Sequence, residues 1–127
     1  MGIFDANVLV GDPAGGDMVR VSAVVDTGAG YSMMPRSLLE QLHVHPLEYR
    51  RFLLADGSEM VNGFGMARFA IADPGDGLDE SRELPCPVIF GPEEEYLLGA
   101  TTLEIFGLMV DPLGQQLIPV VHRVRPI

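Results

Sequence analysis

Val24-Val25-Asp26-Thr27-Gly28-Ala29 is the stretch on which the reading of this chain turns. Ala23, Val24 and Val25 read as the end of a buried strand. The apolar run then gives way at once to an acid, a hydroxyl, a glycine and a second small residue. A carboxylate at the end of a buried strand is expensive to desolvate, so Asp26 there points to a task. Taken alone, Asp-Thr-Gly is also ordinary turn chemistry. Two further features accompany it. Ser32 follows six positions after the acid, and a second apolar run ends in glycine far along the chain, at Leu97-Leu98-Gly99, followed by Leu103.

Length and composition bound what such a site can be. The 127 residues suffice for one hydrophobic core, and we expect a single domain over 1–127. Apolar residues make up 47%, too many for a chain disordered by composition. Eighteen acids oppose eight arginines and no lysine, for a net charge of −10. This balance argues against nucleic acid or an anionic membrane as partner, since both select basic patches. No apolar run approaches the ~18–20 residues of a membrane span. The start, Met1-Gly2-Ile3-Phe4-Asp5, lacks the basic and long apolar segments of a signal peptide, so a cytoplasmic location is expected. The single cysteine, Cys86, allows no intrachain disulfide and fits a reducing compartment. Lying between Pro85 and Pro87 with no histidine near it, it reads as a small buried strand residue.

The rest of the chain alternates short apolar runs with turn residues. Strands are expected at Val8–Val10, Met18–Val25, Tyr49–Leu54, Met60–Ile71, Cys86–Phe90, Tyr96–Leu98, Leu108–Asp111 and Gln116–Val121. Two short helices are expected. One runs from Pro35 to Leu42, with Pro35 at its first position and Leu38, Leu39 and Leu42 on one face. The other spans Ala100–Phe106, with Leu103 and Phe106 facing the core. Asp56-Gly57 marks a tight hairpin, and the polar segment Asp73–Glu83 reads as an acidic loop. These signals together indicate an all-β fold. His43 and His45 flank one residue but have no third ligand near them in sequence, so no metal is expected.

Asp-Thr-Gly-Ala with Ser32, Pro35 opening a helix, the Ala55-Asp56-Gly57-Ser58 turn, and Val88-Ile89-Phe90-Gly91-Pro92 leading into Leu97-Leu98-Gly99 form an ordered set. In this set the chain resembles the retropepsin-like aspartic peptidases, specifically the bacterial and archaeal single-domain relatives of the retroviral enzymes. The resemblance covers most of the chain. It implies a closed β-barrel of retropepsin type with two short helices, working as a homodimer without a cofactor and hydrolysing polypeptide substrates. Asp26 from each subunit would activate water. Thr27 would reach across the dimer, Gly28 and Ala29 would leave room for backbone and substrate, and Ser32 would brace the loop. Leu98 and Gly99 would pack beneath it. Ala55, Asp56, Gly57 and Ser58 would form the tip of a flap over the bound peptide, within a lid running from about Leu54 to Gly65. Met33, Met34, Ile89 and Leu98 would surround an apolar substrate pocket.

There are departures from the retroviral pattern. Acids usually follow the Asp-Thr-Gly-Ala there, whereas Gly30 and Tyr31 stand here, and Ala100 replaces the arginine after the second glycine. Both halves of an ion pair are thus missing together, which is less damaging than losing one. Tyr31 either shapes a substrate pocket or simply packs. Fold does not fix function, so a catalytically silent, dimeric peptide-binding module of the same fold is the alternative reading.

Overall fold

The computed structural model describes residues 4–54, 56–72 and 82–120. Nine strands and two helices follow one another as β1 (Phe4–Gly11), β2 (Met18–Val25), β3 (Ser32–Pro35), α1 (Arg36–Gln41), β4 (Glu48–Leu53), β5 (Glu59–Ile71), β6 (Leu84–Gly91), β7 (Leu97–Leu98), α2 (Ala100–Phe106), β8 (Leu108–Asp111) and β9 (Gln116–Pro119) among the described residues. The all-β expectation with two short helices holds. Val121 of the expected last strand and residues 73–81 of the acidic loop lie outside the described residues.

Alternation sets which face each strand buries. In β2, Ala23 and Val25 are buried while Arg20, Ser22 and Val24 point outward. In β1, Val8 and Val10 are fully buried. Strand pairing runs β1-β2-β7-β3-β6-β5, and β5 pairs back onto β1 with Val8↔Ile71 and Gly11↔Arg68, so the sheet closes into a ring. β4 joins β5 outside this ring, and β8 pairs with β9 as a separate hairpin. Phe69, Val25, Val88 and Leu98 meet in the hydrophobic core inside.

The two helices close gaps in this arrangement. Pro35 ends β3 and serves as the N-cap of α1, one position earlier than its sequence suggested, because its ψ of 136° is still extended. Leu39 is fully buried, with Leu38 and Leu42 packed against the core beside it. His43 ends α1 in the left-handed region at φ 64°, donating its N–H to the Glu40 carbonyl at 3.0 Å. α2 ends at Gly107, where a left-handed φ of 68° favours glycine.

Cys86 is fully buried on β6, as its sequence context indicated. Burial disfavours the thiolate and pushes the thiol up to about 12 from its ordinary 9.0. The folded thiol therefore keeps its proton where the unfolded one loses it. The stability this confers is complete below about pH 9 and is lost as pH rises towards about 12, falling by up to ~1.4 kcal/mol per pH unit. Two measurements check this. A thiol reagent at about pH 8 should leave the native protein unlabelled and react only as urea unfolds it. Urea melts above about pH 9 should show a falling midpoint in the wild type, and a shallower fall in Cys86→Ala.

Candidate active site

Asp26 is the first residue beyond β2, and β7 holds it there. β2 and β7 run parallel, with Val24↔Leu97 and Val25↔Leu98 in register. The Val24 N–H donates to the Tyr96 carbonyl at 2.9 Å, and the Asp26 N–H donates to the Leu98 carbonyl at 3.0 Å. The chain then turns back on itself. Asp26 Oδ1 accepts the Gly28 N–H at 2.9 Å, and the Asp26 carbonyl accepts the Ala29 N–H at 3.2 Å. A Cβ on Gly28 would lie 3.1 Å from Asp26 Oδ1, so a side chain there would crowd the carboxylate. Asp26 is half-buried, while Thr27 and Gly28 are exposed. The carboxylate is thus anchored through its backbone and presented on an open turn.

The far side of the loop is tied to the start of α2. The Ala100 N–H donates to the Ala29 carbonyl at 2.8 Å, and the Thr101 N–H to the Gly30 carbonyl at 2.9 Å. Amides of a helix's first turn have no partner within the helix, and here the loop supplies partners. Gly99, at the N-cap, lies directly against the chain: a Cβ would stand 2.5 Å from the Tyr31 carbonyl carbon and oxygen and 2.9 Å from the Ser32 nitrogen. No rotamer relieves a clash with backbone. Ser32 is fully buried, accepts the Gly99 N–H on its Oγ at 3.0 Å, and shares a 2.6 Å hydrogen bond with Thr102 Oγ1. Leu98 is fully buried beneath the loop.

Thr102 was not singled out from the sequence. It is fully buried, and the signal was available as a hydroxyl on the inward side of α2, three residues after Gly99. Such a group requires a partner, and Ser32, seventy positions away, is that partner.

β4 and β5 form the hairpin expected as the flap, in register from Glu48↔Phe64 to Leu53↔Glu59. At its tip the Leu54 N–H donates to the Ser58 carbonyl at 2.8 Å, and the Gly57 N–H to the Leu54 carbonyl at 3.0 Å. Gly57 takes a left-handed φ of 86°. Asp56 Oδ1 accepts both the Ser58 hydroxyl, at 2.5 Å, and the Ser58 N–H, at 2.9 Å. These bonds, the hydroxyl's first, hold the Asp56 carboxyl below the usual range. Ala55 lies outside the described residues. The root of the hairpin meets the loop, since Phe64 packs edge-on against Tyr31 with ring centroids 4.9 Å apart.

The apolar pocket expected around Met33, Met34, Ile89 and Leu98 is not formed as such. Met34 and Leu98 are fully buried in the core, where no ligand reaches them. The pattern of apolar residues marked the inside of the ring there.

Two substitutions separate close packing from mere chain flexibility. Gly99→Ala should cost about 1–3 kcal/mol or more in a denaturant melt. Gly30→Ala, where an added Cβ meets nothing within 4 Å, should change stability by less than about 0.5 kcal/mol. Ser32→Ala strands the Gly99 N–H and the Thr102 hydroxyl and should cost about 1–3 kcal/mol. In a double-mutant cycle with Thr102→Val, the two losses should fall short of additive by about 0.5 kcal/mol or more.

The aspartyl protease family model matches residues 8–102. Among solved structures, the chain is similar to the simian foamy virus (mac) protease at 16% identity and a TM-score of 0.54, covering 80% of this chain and 92% of that one. It is also similar to a retropepsin-like aspartic protease from Rickettsia conorii at 21% identity and a TM-score of 0.48, covering 86% and 84% respectively. No curated protein sequence matches. The matched segment begins in β1, takes in the Asp26 loop and the hairpin, and ends at the Thr102 that braces Ser32. On that span the chain belongs to the aspartyl protease family.

Proposed function

We propose that the protein is an aspartic endopeptidase that acts as a homodimer, with Asp26 of each subunit flanking one water molecule. The observation that carries this reading is a single Asp26 carboxylate on an exposed turn, fixed by β7 on one side and α2 on the other. One chain supplies half of a carboxylate pair. A two-fold axis through the turn would supply the other half, because an isologous contact sets a residue opposite its own copy. Thr27 beside it is exposed and would meet its mate across that axis.

Two carboxylates this close share one proton, since both cannot be ionised together. The ionised Asp26 takes a proton from water while the protonated one donates a hydrogen bond to the scissile carbonyl. Water oxygen bonds to the carbonyl carbon, giving a tetrahedral diol. A proton then passes to the amide nitrogen, the carbon–nitrogen bond breaks, and a carboxylic acid and an amine leave. The substrate would lie extended between the Asp26 turns and the β4–β5 hairpins, adding strand-type hydrogen bonds. Asp56, Gly57 and Ser58 would form the tip of the lid over it.

The test is cleavage of a diverse unstructured peptide library from acid to neutral pH, with mass measured in solution. Wild type should form a dimer and cleave. Asp26→Asn should keep the dimer and lose more than ~10²-fold in rate. The rate per subunit should rise with concentration as dimer forms. A verified dimer that cleaves nothing at any pH would overturn the peptidase reading in favour of a silent peptide-binding module.

A further inference from the structure

The β4–β5 hairpin has two faces, fixed by its register. Tyr49, Arg51, Leu53, Glu59, Val61 and Gly63 share the one turned away from Tyr31. Glu48, Arg50 and Phe52 share the other with Met60, Asn62 and Phe64, and this is the face that meets Tyr31. Among the described residues, Arg50 is the one cation on that inner face. Its guanidinium carbon stands 3.9 Å from the centroid of the Phe64 ring, and Nη2 donates to Glu48 Oε2 at 3.0 Å. Tyr31 backs the same cluster by packing edge-on against Phe64, with ring centroids 4.9 Å apart.

These contacts fix the head of Arg50 without hiding it. The Arg50 side chain is 39% exposed and that of Glu48 52% exposed. Stacking on an aromatic face orients a guanidinium and removes much of the freedom a ligand would otherwise have to freeze. A guanidinium carries five N–H donors, and the Glu48 bond uses Nη2 alone. The Glu48 pair itself is an exposed one, and such pairs contribute little and exchange readily. Gly30 and Tyr31 bring no negative charge to this wall beside the candidate active site.

We infer that Arg50 determines specificity: with Tyr31 and Phe64 it forms a subsite for an acidic side chain, Asp or Glu, of an extended peptide. The substrate carboxylate takes the place of Glu48 on the guanidinium fork. Planar, two-point recognition of a carboxylate is what a held arginine does best. The inference rests on the peptidase reading for how the peptide lies, so its test reads binding and not turnover.

The experiment uses extended peptides whose central peptide bond is reduced to an uncleavable amine. Glu or Gln is placed at each position in turn, and binding is followed by fluorescence anisotropy. At one position on each side of the centre, Glu should bind about tenfold tighter than Gln. Arg50→Met, which keeps an apolar stem over Phe64, should abolish that preference. Glu48→Gln, which removes the competitor, should enlarge it, and this variant carries the test should Arg50→Met fail to fold. Added salt should shrink the preference. A flat Glu/Gln scan in the wild type, a preference that survives Arg50→Met, or binding of no peptide at all overturns the inference. A Glu preference in a protein that cuts no cleavable counterpart supports the subsite and sinks the peptidase reading alone. Cleavage with a flat scan does the reverse.

Discussion

Everything at the candidate site depends on Gly99 lying flat against the backbone of Tyr31 and Ser32. A Cβ there would come within 2.5 Å of a carbonyl. The absence of one lets β7, only two residues long, wedge between β2 and β3. That wedge supplies the Leu98 carbonyl that accepts the Asp26 N–H, and directly after it come the α2 amides that donate to the loop carbonyls. The buried Ser32 hydroxyl then serves as acceptor for the Gly99 N–H and as partner for Thr102. Each tie joins positions about seventy residues apart, so the turn becomes rigid only when the ring closes. Sites held on such a scaffold keep their geometry. A free Asp-Thr-Gly turn would not.

β5 links that rigid part to a more exposed one. Its first half, Glu59 to Phe64, pairs with β4 in the hairpin, and its second half pairs with β6 and β1 inside the ring. The handover falls at Phe64, the residue that packs against Tyr31. Close approach is enforced there on both sides: Cβ atoms on Gly63 and Gly65 would come within about 3 Å of Pro46 and of the His45 carbonyl. The root of the hairpin is therefore held close beside the Asp26 loop. Its tip is held by its own turn, through Asp56 and Ser58, with exposed side chains around it.

Local periodicity carried most of the fold. Met18–Val25, Ala100–Phe106 and Leu108–Asp111 have the bounds their apolar alternation and flanking glycines indicated. Asp26, Ser32, Leu98 and Gly99 were legible because their order and spacing form a pattern, and the structure gathers them. What was not legible was pairing between distant segments. Nothing within a window around Ser32 points to Thr102. Met34 and Leu98 carry no mark that separates a core residue from a pocket wall, since both are simply apolar. Arg50 went unremarked for the same reason. Its neighbours in sequence, Tyr49 and Arg51, sit on the opposite face; the ring beneath it, Phe64, comes from β5 and packs on Tyr31 from yet another segment.

The sign of the whole chain and the sign of this wall are different matters. A net charge of −10 acts over the screening length of the solvent, about 8–10 Å, whereas a side chain in contact feels its immediate partners. Arg50 and Glu48 are not equally held. Phe64 as well as Glu48 positions the guanidinium, and Phe64 is itself braced by Tyr31. For Glu48 the partner that lowers its proton affinity is Arg50. A substrate base would have to dislodge the better-anchored member of the pair. A substrate acid displaces the freer one and meets the guanidinium fork with two bonds where Glu48 made one. Discrimination is a difference between two such exchanges, and the asymmetry of anchoring sets its direction towards acidic side chains.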